Sequence, residues 1–531
     1  MIFEKLFLEK PELSRLNLYR DVLAMQKDKF KVNELVTSRR LTYQQMYNNL
    51  RGLAEELHNY YHQPPEYFFD GVEVMREHFT MSLTDYRNKI IANTLPFRFL
   101  YAVFKNKYQD LKDFLADNLI SRSTLSRRTS ALHDYMRPFG VDLSYIDMSF
   151  LGDERKIREF VFIVYYSLAQ GNPWPFEDIS YEESKAFLAS LNKECFHYEY
   201  RNKVDEYQCS FRLAIAVNRI RQGYSVSRNS RLDIMIENNP FFYYDNVKNV
   251  CLFNLSSEYS FNEIEELFFS FNHTVSPFLE SDSNDENLVE TFQNNKTFIW
   301  EFVIKYLEFL SDNYSDQLSL QILKEDVTLA NLLRIFYSSY VYSGIFPTIA
   351  GLFERETNPY VTGYNQLIDL TRNFIIENAP KYQIPDIVTS NRFISEDIFQ
   401  LFLPAISNVV VDDVLKVKLF LEEDIVASRD LTTFLTDLKG IHVLSKEDPV
   451  DLADVIVTPL GEIDNLPNLL IPDHVEIIYW NSEASEHEFY RIYCRIKSLY
   501  VERKSKTKKS STEEHDVDSK SNLSESDQKF A

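Results

Sequence analysis

Glycine is scarce in this chain: 11 in 531 residues, no two closer than the seven positions between Gly344 and Gly351. The dinucleotide-binding fingerprint, the P-loop and the nucleophile elbow each need two glycines within five residues, so all three motifs are absent. Cysteine is scarce as well. Cys195, Cys209, Cys251 and Cys494 lack CxxC spacing, which is the pattern of reduced thiols, not of a zinc site or a disulfide framework. Long apolar runs are missing too. Phe160–Ala169 is typical, far short of the ~18 residues a spanning helix needs, so no membrane association is expected. The opening Met1-Ile2-Phe3-Glu4-Lys5-Leu6 has no basic region followed by an apolar stretch and a cleavage site. No secretory signal is expected, and the location expected is cytoplasmic.

The histidines carry little chemistry. His58 and His62 share a helical face at i, i+4, but Asn59 stands where a zinc protease places its glutamate, and no third ligand follows. None of His78, His133, His442, His474, His487 and His515 lies in a Ser/Asp frame that makes a triad. Catalytic residues, metal ligands and cofactors are therefore not expected, nor is an enzyme. The acidic groups Glu265-Glu266 and Glu422-Glu423-Asp424 are most simply solvated faces.

Aromatic residues, in contrast, make up 15% of the chain, with 41 Phe and 33 Tyr, enough apolar surface to exclude disorder over most of it. The net charge of −23 is uneven. Residues 1–160 hold 24 basic against 22 acidic residues and the remainder 33 against 58. A polyanion would therefore be met by the amino-terminal head, not by the acidic body.

Hydrophobic periodicity divides the chain. Residues 1–65 read as one helical unit, with Thr42 as N-cap of a helix over Tyr43–Tyr60 and Pro64-Pro65 as its stop. Glu66–Met81 alternates as a short hairpin would, with Gly71 at the turn. Residues 66–160 end in a unit of similar shape: helix Phe97–Lys105, a short helix at Leu111–Leu115, and a helix over Thr124–Met136 capped by Ser121 or Ser123. Two short strands follow, Val141–Tyr145 and Met148–Leu151, before a long helix from Gly152-Asp153-Glu154 to about Ala169. Helical, apolar sequence continues to 392, split by the polar run Glu280–Asn287 into segments 161–283 and 284–392. Over 393–500 the β-branched runs Val414–Leu421, Ile441–Leu444, Asp454–Thr458 and Val475–Trp480 alternate with helices at Asp430–Leu438 and Glu486–Leu499, the pattern of a small parallel α/β domain. The Ser/Lys/Glu/Asp-rich tail, 501–531, reads as disordered.

The head offers two helix-turn-helix readings. In the first, Lys31–Val36 supports and Thr42–Leu53 enters the groove, presenting Thr42, Tyr43, Gln44, Gln45, Asn48, Asn49 and Arg51. Gln and Asn pair bidentately with adenine edges, whereas Arg suits guanine or phosphate. In the second, Leu111–Leu115 supports and Ser123–Met136 reads. Segment 121–137 carries Arg122, Arg127, Arg128 and Arg137 against the single acid Asp134. Ser121, Ser123, Thr124 and Ser126 stand at the helix start, where free N–H groups and the helix dipole attract phosphate. One such pattern is often an ordinary three-helix core. Two in tandem, the second followed by a hairpin, describe winged helices on double-stranded DNA. The rival from these residues alone is an acidic helical scaffold that binds protein partners without DNA.

The tandem units, the GDERKIREF run (Gly152–Phe160), RLAIAVNRIRQG (Arg212–Gly223) and STLSRR (Ser123–Arg128) before FGVDL (Phe139–Leu143) resemble the Mga family. These are PRD-containing transcription regulators of Gram-positive bacteria, a group with RofA-like and AtxA-like members. The resemblance spans about residues 8–500. It implies a mainly α, multidomain chain: two amino-terminal winged helices, two helical-bundle PRD modules and a small α/β domain similar to the EIIB phosphocarrier subunit. It further implies promoter binding, activation of virulence, surface or carbohydrate-linked genes with RNA polymerase, phosphorylation of PRD histidines by phosphotransferase-system proteins, and dimers or larger oligomers through the EIIB-like domain. An RNA-binding antiterminator, the other PRD-containing class, begins with a small β domain, whereas this amino terminus reads helical.

The chain departs from the pattern in three places. Arg212 stands where a PRD histidine is usual. The second signature, FFSFNH, places His273 at or one position beyond its site, with His197 outside either signature. No histidine lies between His273 and His442, so the second PRD has no histidine to phosphorylate. LFLEEDIVAS (Leu419–Ser428) lacks the cysteine a phosphocarrier needs, which makes that domain structural.

Overall fold

The computed structural model describes residues 2–25, 27–36, 42–169, 174–250, 255–272, 283–314, 325–348 and 364–402, and toward the carboxy terminus 414–421, 425–438, 440–445, 447–460, 471–472, 474–480 and 489–499. The tail 501–531, the acidic Glu422-Glu423-Asp424, Cys251, His273, His487 and His515 lie outside the described residues. The chain is mostly helical and divides into two compact units, with the break after Val409.

The amino-terminal unit opens with α1 (Ile2–Phe7) and α2 (Lys10–Ala24). A capping box between Glu9 and Glu12, with Pro11 in the first turn, starts α2. Strand β1 (Lys29–Lys31), α3 (Val32–Val36) and α4 (Tyr43–Tyr61) follow, then β2 (Glu73–Met75). Lys31, read as a helix start, is the last residue of β1. The turn expected at Gly71 is present: Gly71 has φ +96°, and Asp70 Oδ1 accepts the N–H groups of Val72 and Glu73, each at 2.8 Å. The N–H of Met75 closes the hairpin on the Phe68 carbonyl at 2.9 Å. The ladder partner of β2, however, is β1, antiparallel, with Phe30 opposite Val74, and both of those side chains are buried. The boundary expected after residue 65 therefore cuts a paired sheet.

Next come α5 (Leu83–Asn93), α6 (Leu95–Phe104), α7 (Leu111–Asp117), α8 (Arg122–Met136) and the antiparallel strands β3 (Asp142–Ser144) and β4 (Ser149–Leu151), with Leu143 opposite Phe150. Gly152, with φ +123°, ends the hairpin against the Gly140 turn, where a Cβ would collide with the Gly140 carbonyl oxygen. Helix α1 packs on α6 and α8 instead of on its sequence neighbours, with Phe7 edge-on to Phe97 at 6.0 Å.

A helical body completes this unit: α9 (Glu154–Ala169), α10 (Tyr181–Glu194), α11 (Lys203–Arg221), α12 (Asp233–Ile236) and α13 (Ser257–Asn272), then α14 (Ser283–Asn294), α15 (Phe298–Tyr314), α16 (Asp326–Val341), α17 (Tyr364–Asn378) and α18 (Asn391–Phe402). Helix α14 begins inside the polar run that was expected to split the body. Its Asp285 is fully buried, paired with Arg201 at 2.8 Å and with Arg334, whose Nε donates to the Asn272 carbonyl at 2.9 Å. Helix α18 crosses the boundary expected after residue 392 and packs on α17.

The second unit carries four parallel strands in the order β6-β5-β7-β8: β5 (Leu415–Leu419), β6 (Ile441–Val443), β7 (Val455–Thr458) and β8 (Glu476–Tyr479). Helix α19 (Ile425–Asp437) and the helix over 489–499 bury Leu431, Leu435, Ile492 and Ile496 against Val417, Val455 and Val457. Ala453, Ile456 and Val475 form a second apolar layer. All four β-branched runs read from the sequence are strands.

Candidate nucleic-acid interface

In the second half a short helix, a turn and a longer helix, α7 and α8, precede a small antiparallel sheet, β3–β4; in the first half α3 and α4 lie in the chain between the two paired strands, β1 before them and β2 after. The order in the second half is that of a winged helix.

Helix α4 is anchored by Met46, Leu50, Leu53 and Leu57, and its opposite face is polar. Thr42 and Gln45 cap each other: Gln45 N–H donates to Thr42 Oγ1 at 3.3 Å, and Thr42 N–H to Gln45 Oε1 at 2.9 Å. Gln45 is thus occupied by the cap. Tyr43, Gln44, Asn48 and Arg51 are exposed, and Asn49 is half-buried. Gln44 Nε2 donates to Asn48 Oδ1 at 3.0 Å, and Arg51 pairs with Glu55 at 3.0 Å.

Helix α8 is anchored by Leu125, Thr129, Leu132 and Met136. Ser121 is its N-cap, accepting from the Thr124 N–H at 3.1 Å, which leaves Ser123 inside the first turn. The hydroxyls of Ser123 and Thr124 both lie 2.9 Å from Ser121 Oγ. Arg122, Ser123, Ser126 and Arg127 are exposed, and neither Arg122 nor Arg127 makes an ion pair among the described residues. Arg128 differs from them. It is half-buried and held by Glu9 at 2.5 Å, across the α1–α8 contact.

The wing is tied to α8 by groups to which the sequence reading gave no structural role. His133, almost fully buried, hydrogen-bonds through Nδ1 to Asp142 at the start of β3, and Arg137 Nε donates to the other oxygen of Asp142 at 3.1 Å. Burial alone would raise the Asp142 pKa; the hydrogen bonds from His133, the Leu143 N–H and Arg137 hold it below the ordinary range instead. Thr129 Oγ1 and the Tyr145 hydroxyl are 2.5 Å apart. Arg137 is thereby a strut of the wing. Leu119 in the turn before α8 and Ile146 at the wing tip are 93% and 78% exposed, apolar side chains that periodicity could not distinguish from core.

GDERKIREF is not part of this surface. Its Arg155 and Arg158 are buried, pairing with Glu266 at 2.8 Å and Glu263 at 2.5 Å, and Glu154 takes both Arg158 and Arg219. Glu265 and Glu266, read as a solvated face, are buried as well. Burial pushes Glu266 up to about 7, with Arg155 and Arg158 opposing and Asp153 adding to it. Burial beside Asp233 does the same to Glu265, also about 7. Arg212 pairs through two bonds with buried Glu159, and its guanidinium lies 3.7 Å from the Phe162 ring centroid. His197 is exposed, its N–H on the Phe241 carbonyl at 3.0 Å.

Fold and interface together define a mostly helical, multidomain chain with a helix-turn-helix domain near its amino terminus. Residues 79–166, which contain α5 to β4 and most of α9, match the family described as the Mga helix-turn-helix domain. Over 317 residues the chain is 21% identical to the capsule synthesis positive regulator AcpB of Bacillus anthracis. That alignment takes in 57% of this chain and 63% of the relative, less than two thirds of its length. The two findings support a regulator of the Mga family.

Proposed function

We propose that this chain is a transcription regulator that grips promoter DNA chiefly through α8. The observation that carries the reading is the α8 amino terminus: two exposed arginines without ion pairs among the described residues, Arg122 and Arg127, beside a helix N-terminus capped by Ser121 and a cluster of three hydroxyls. Arg122, Ser123, Ser126 and Arg127 hold phosphate or guanine, with Ser121 and Thr124 fixing the first turn and Arg128 joining when Glu9 releases it. Helix α4 contributes through Tyr43, Gln44, Asn48, Asn49 and Arg51, with Thr42 and Gln45 as its cap.

The resemblance and the relative's name favour a cytoplasmic activator of capsule, virulence, surface or carbohydrate-linked genes, acting with RNA polymerase. On this reading the helical body is a pair of PRD modules, and the parallel α/β unit is EIIB-like and holds the chain as a dimer or larger oligomer. His197 and His273 are the proposed phosphorylation positions. Arg212 replaces the usual histidine with a permanent cation already matched by Glu159.

Salt dependence of binding to the DNA upstream of the chain's own gene tests the reading. Full-length protein should show a steep negative slope of log K against log salt, flattened by ~1.8 in Arg122→Ala/Arg127→Ala, about 0.9 for each lost phosphate contact. No binding at low salt, or an unchanged slope in the variant, refutes it.

A further inference from the structure

A cavity lies outside the reading surface, in the angle between α6, α7 and the loop joining them. It has a volume of ≈ 260 Å³ and is lined by Phe97, Tyr101, Tyr108 and Phe114, with Ala92 at its edge and Arg98, Lys107 and Asn118 as its polar groups. Sites for drug-sized ligands begin at about 300 Å³ and are mostly apolar with a few placed polar groups. This one has that character at the size of a single ring.

Its polar groups are unevenly satisfied. Asn118 Nδ2 donates to the Phe114 carbonyl at 2.7 Å, but Asn118 Oδ1 is buried with no hydrogen-bond partner among the described residues. A buried acceptor left unmade costs about 1–3 kcal/mol, so the site favours an occupant that brings a donor. The two cations also lack carboxylate partners among the described residues. Arg98 is exposed at the rim, and the Lys107 ammonium lies 5.5 Å from the Tyr108 ring centroid. Two neighbouring acids are engaged elsewhere, Asp117 accepting from the Tyr108 hydroxyl at 3.0 Å and Asp178 pairing with Lys105 at 2.6 Å, while a third, Glu177, is exposed to solvent near Tyr101.

We propose that this cavity binds a small aromatic acid: one ring between Phe97, Tyr101 and Tyr108, a carboxylate toward Arg98 and Lys107, and one hydroxyl or amine donor for Asn118 Oδ1. Its position is suggestive of a regulatory input, because Asn118 is the C-cap of α7 and Leu119, at φ +53°, begins the turn into α8. The proposal itself concerns the ligand alone and does not rest on DNA binding.

The test is calorimetric titration of the full chain with 4-hydroxybenzoate, using benzoate and 4-hydroxybenzyl alcohol as controls. 4-Hydroxybenzoate should bind one per chain, at least fivefold tighter than benzoate, which lacks the donor, and than the alcohol, which lacks the charge. Ala92→Trp, at an exposed position, should block the mouth and abolish binding. Arg98→Gln should weaken 4-hydroxybenzoate at least fivefold and leave the alcohol unchanged. A circular dichroism spectrum equal to the parent's establishes that each variant is folded. No saturable binding up to 20 mM by the folded parent overturns the proposal, as does binding that neither variant alters. So does an Arg98→Gln variant that loses DNA affinity in a chain that takes no acid, since Arg98 would then be a phosphate contact.

Discussion

Arg219 offers the sharpest test of how the reading head is held to the helical body. Only 1% of it is exposed, and its Nε and Nη2 meet the two oxygens of Glu154 at 2.9 and 2.8 Å. Glu154 is the first residue of α9, two positions beyond Gly152 at the end of the wing. The guanidinium also lies over the rings of Tyr224, 3.9 Å away, and of Phe150 in β4, 5.2 Å away. Burial alone would raise the Glu154 pKa; the hydrogen bond from Arg219 and the charge of Arg158 reverse the shift, so the carboxylate stays ionised and depends on its partners. Arg219→Ala leaves it with Arg158, which Glu263 already shares. Removing one partner of a buried pair costs about 3–5 kcal/mol. Spread over the entropy of a unit of roughly 400 residues, that lowers its melting temperature by about 4–6 °C. Scanning calorimetry of the full chain reads the shift directly. Arg219→Met/Glu154→Gln, which strands no charge, should melt higher than Arg219→Met alone. An Arg219→Ala protein melting within 1 °C of the parent, or a double variant that falls by the sum of its parts, refutes the argument.

The same geometry predicts further behaviour. Glu9→Gln releases Arg128 toward DNA and should steepen the salt slope by about 0.9, whereas Arg128→Ala in the parent should change it less than Arg127→Ala does. Glu265 and Glu266 titrate near 7 when folded and near 4.5 when unfolded. The folded chain thus binds more protons between those values, and their stabilising contribution is lost as pH rises through 7. Glu266 alone, half-protonated at that point, gives a slope of about −0.7 kcal/mol per pH unit, visible in urea titrations at pH 6, 7 and 8 and removed in Glu266→Gln. A rise in stability across that range would contradict it. Truncation after Val409 should leave a folded monomer by sedimentation if the α/β unit carries the dimer contact; a dimeric truncation removes that role. Phosphotransfer from labelled phosphoenolpyruvate through the phosphotransferase proteins should be lost in His197→Ala/His273→Ala, and equal labelling of that variant removes both positions.

What was legible in the sequence was local. Thr42 and Ser121 announce the helices they cap because an N-cap is set by residues within one turn, and the four strands of the α/β unit announce themselves because parallel strands buried on both faces are continuous β-branched runs. Pairing at a distance was not legible. Nothing in Glu73–Met75 says that its partner is Lys29–Lys31, or that α1 crosses to α8 and brings Glu9 to Arg128. The larger misreadings share one cause, which is that charge was taken as a sign of solvent. Glu266 read as exposed because it was judged without Arg155, 111 positions away along the chain, and the polar run that holds Asp285 read as a break because it was judged without Arg334, 49 positions on. An acidic pair in a helix and an acidic run before one look alike whether water or guanidinium faces them. The distinguishing signal was present in GDERKIREF and RLAIAVNRIRQG, where arginines interrupt faces that are otherwise apolar. An arginine at a core position of one helix demands a carboxylate at a core position of another. Applied to the head, the same reasoning separates Arg122 and Arg127, whose neighbours offer no buried acid, from Arg155, Arg158, Arg212 and Arg219, which the body has already claimed. That separation is why the proposed reading sets α8, and not the arginines at the start of α9, against DNA.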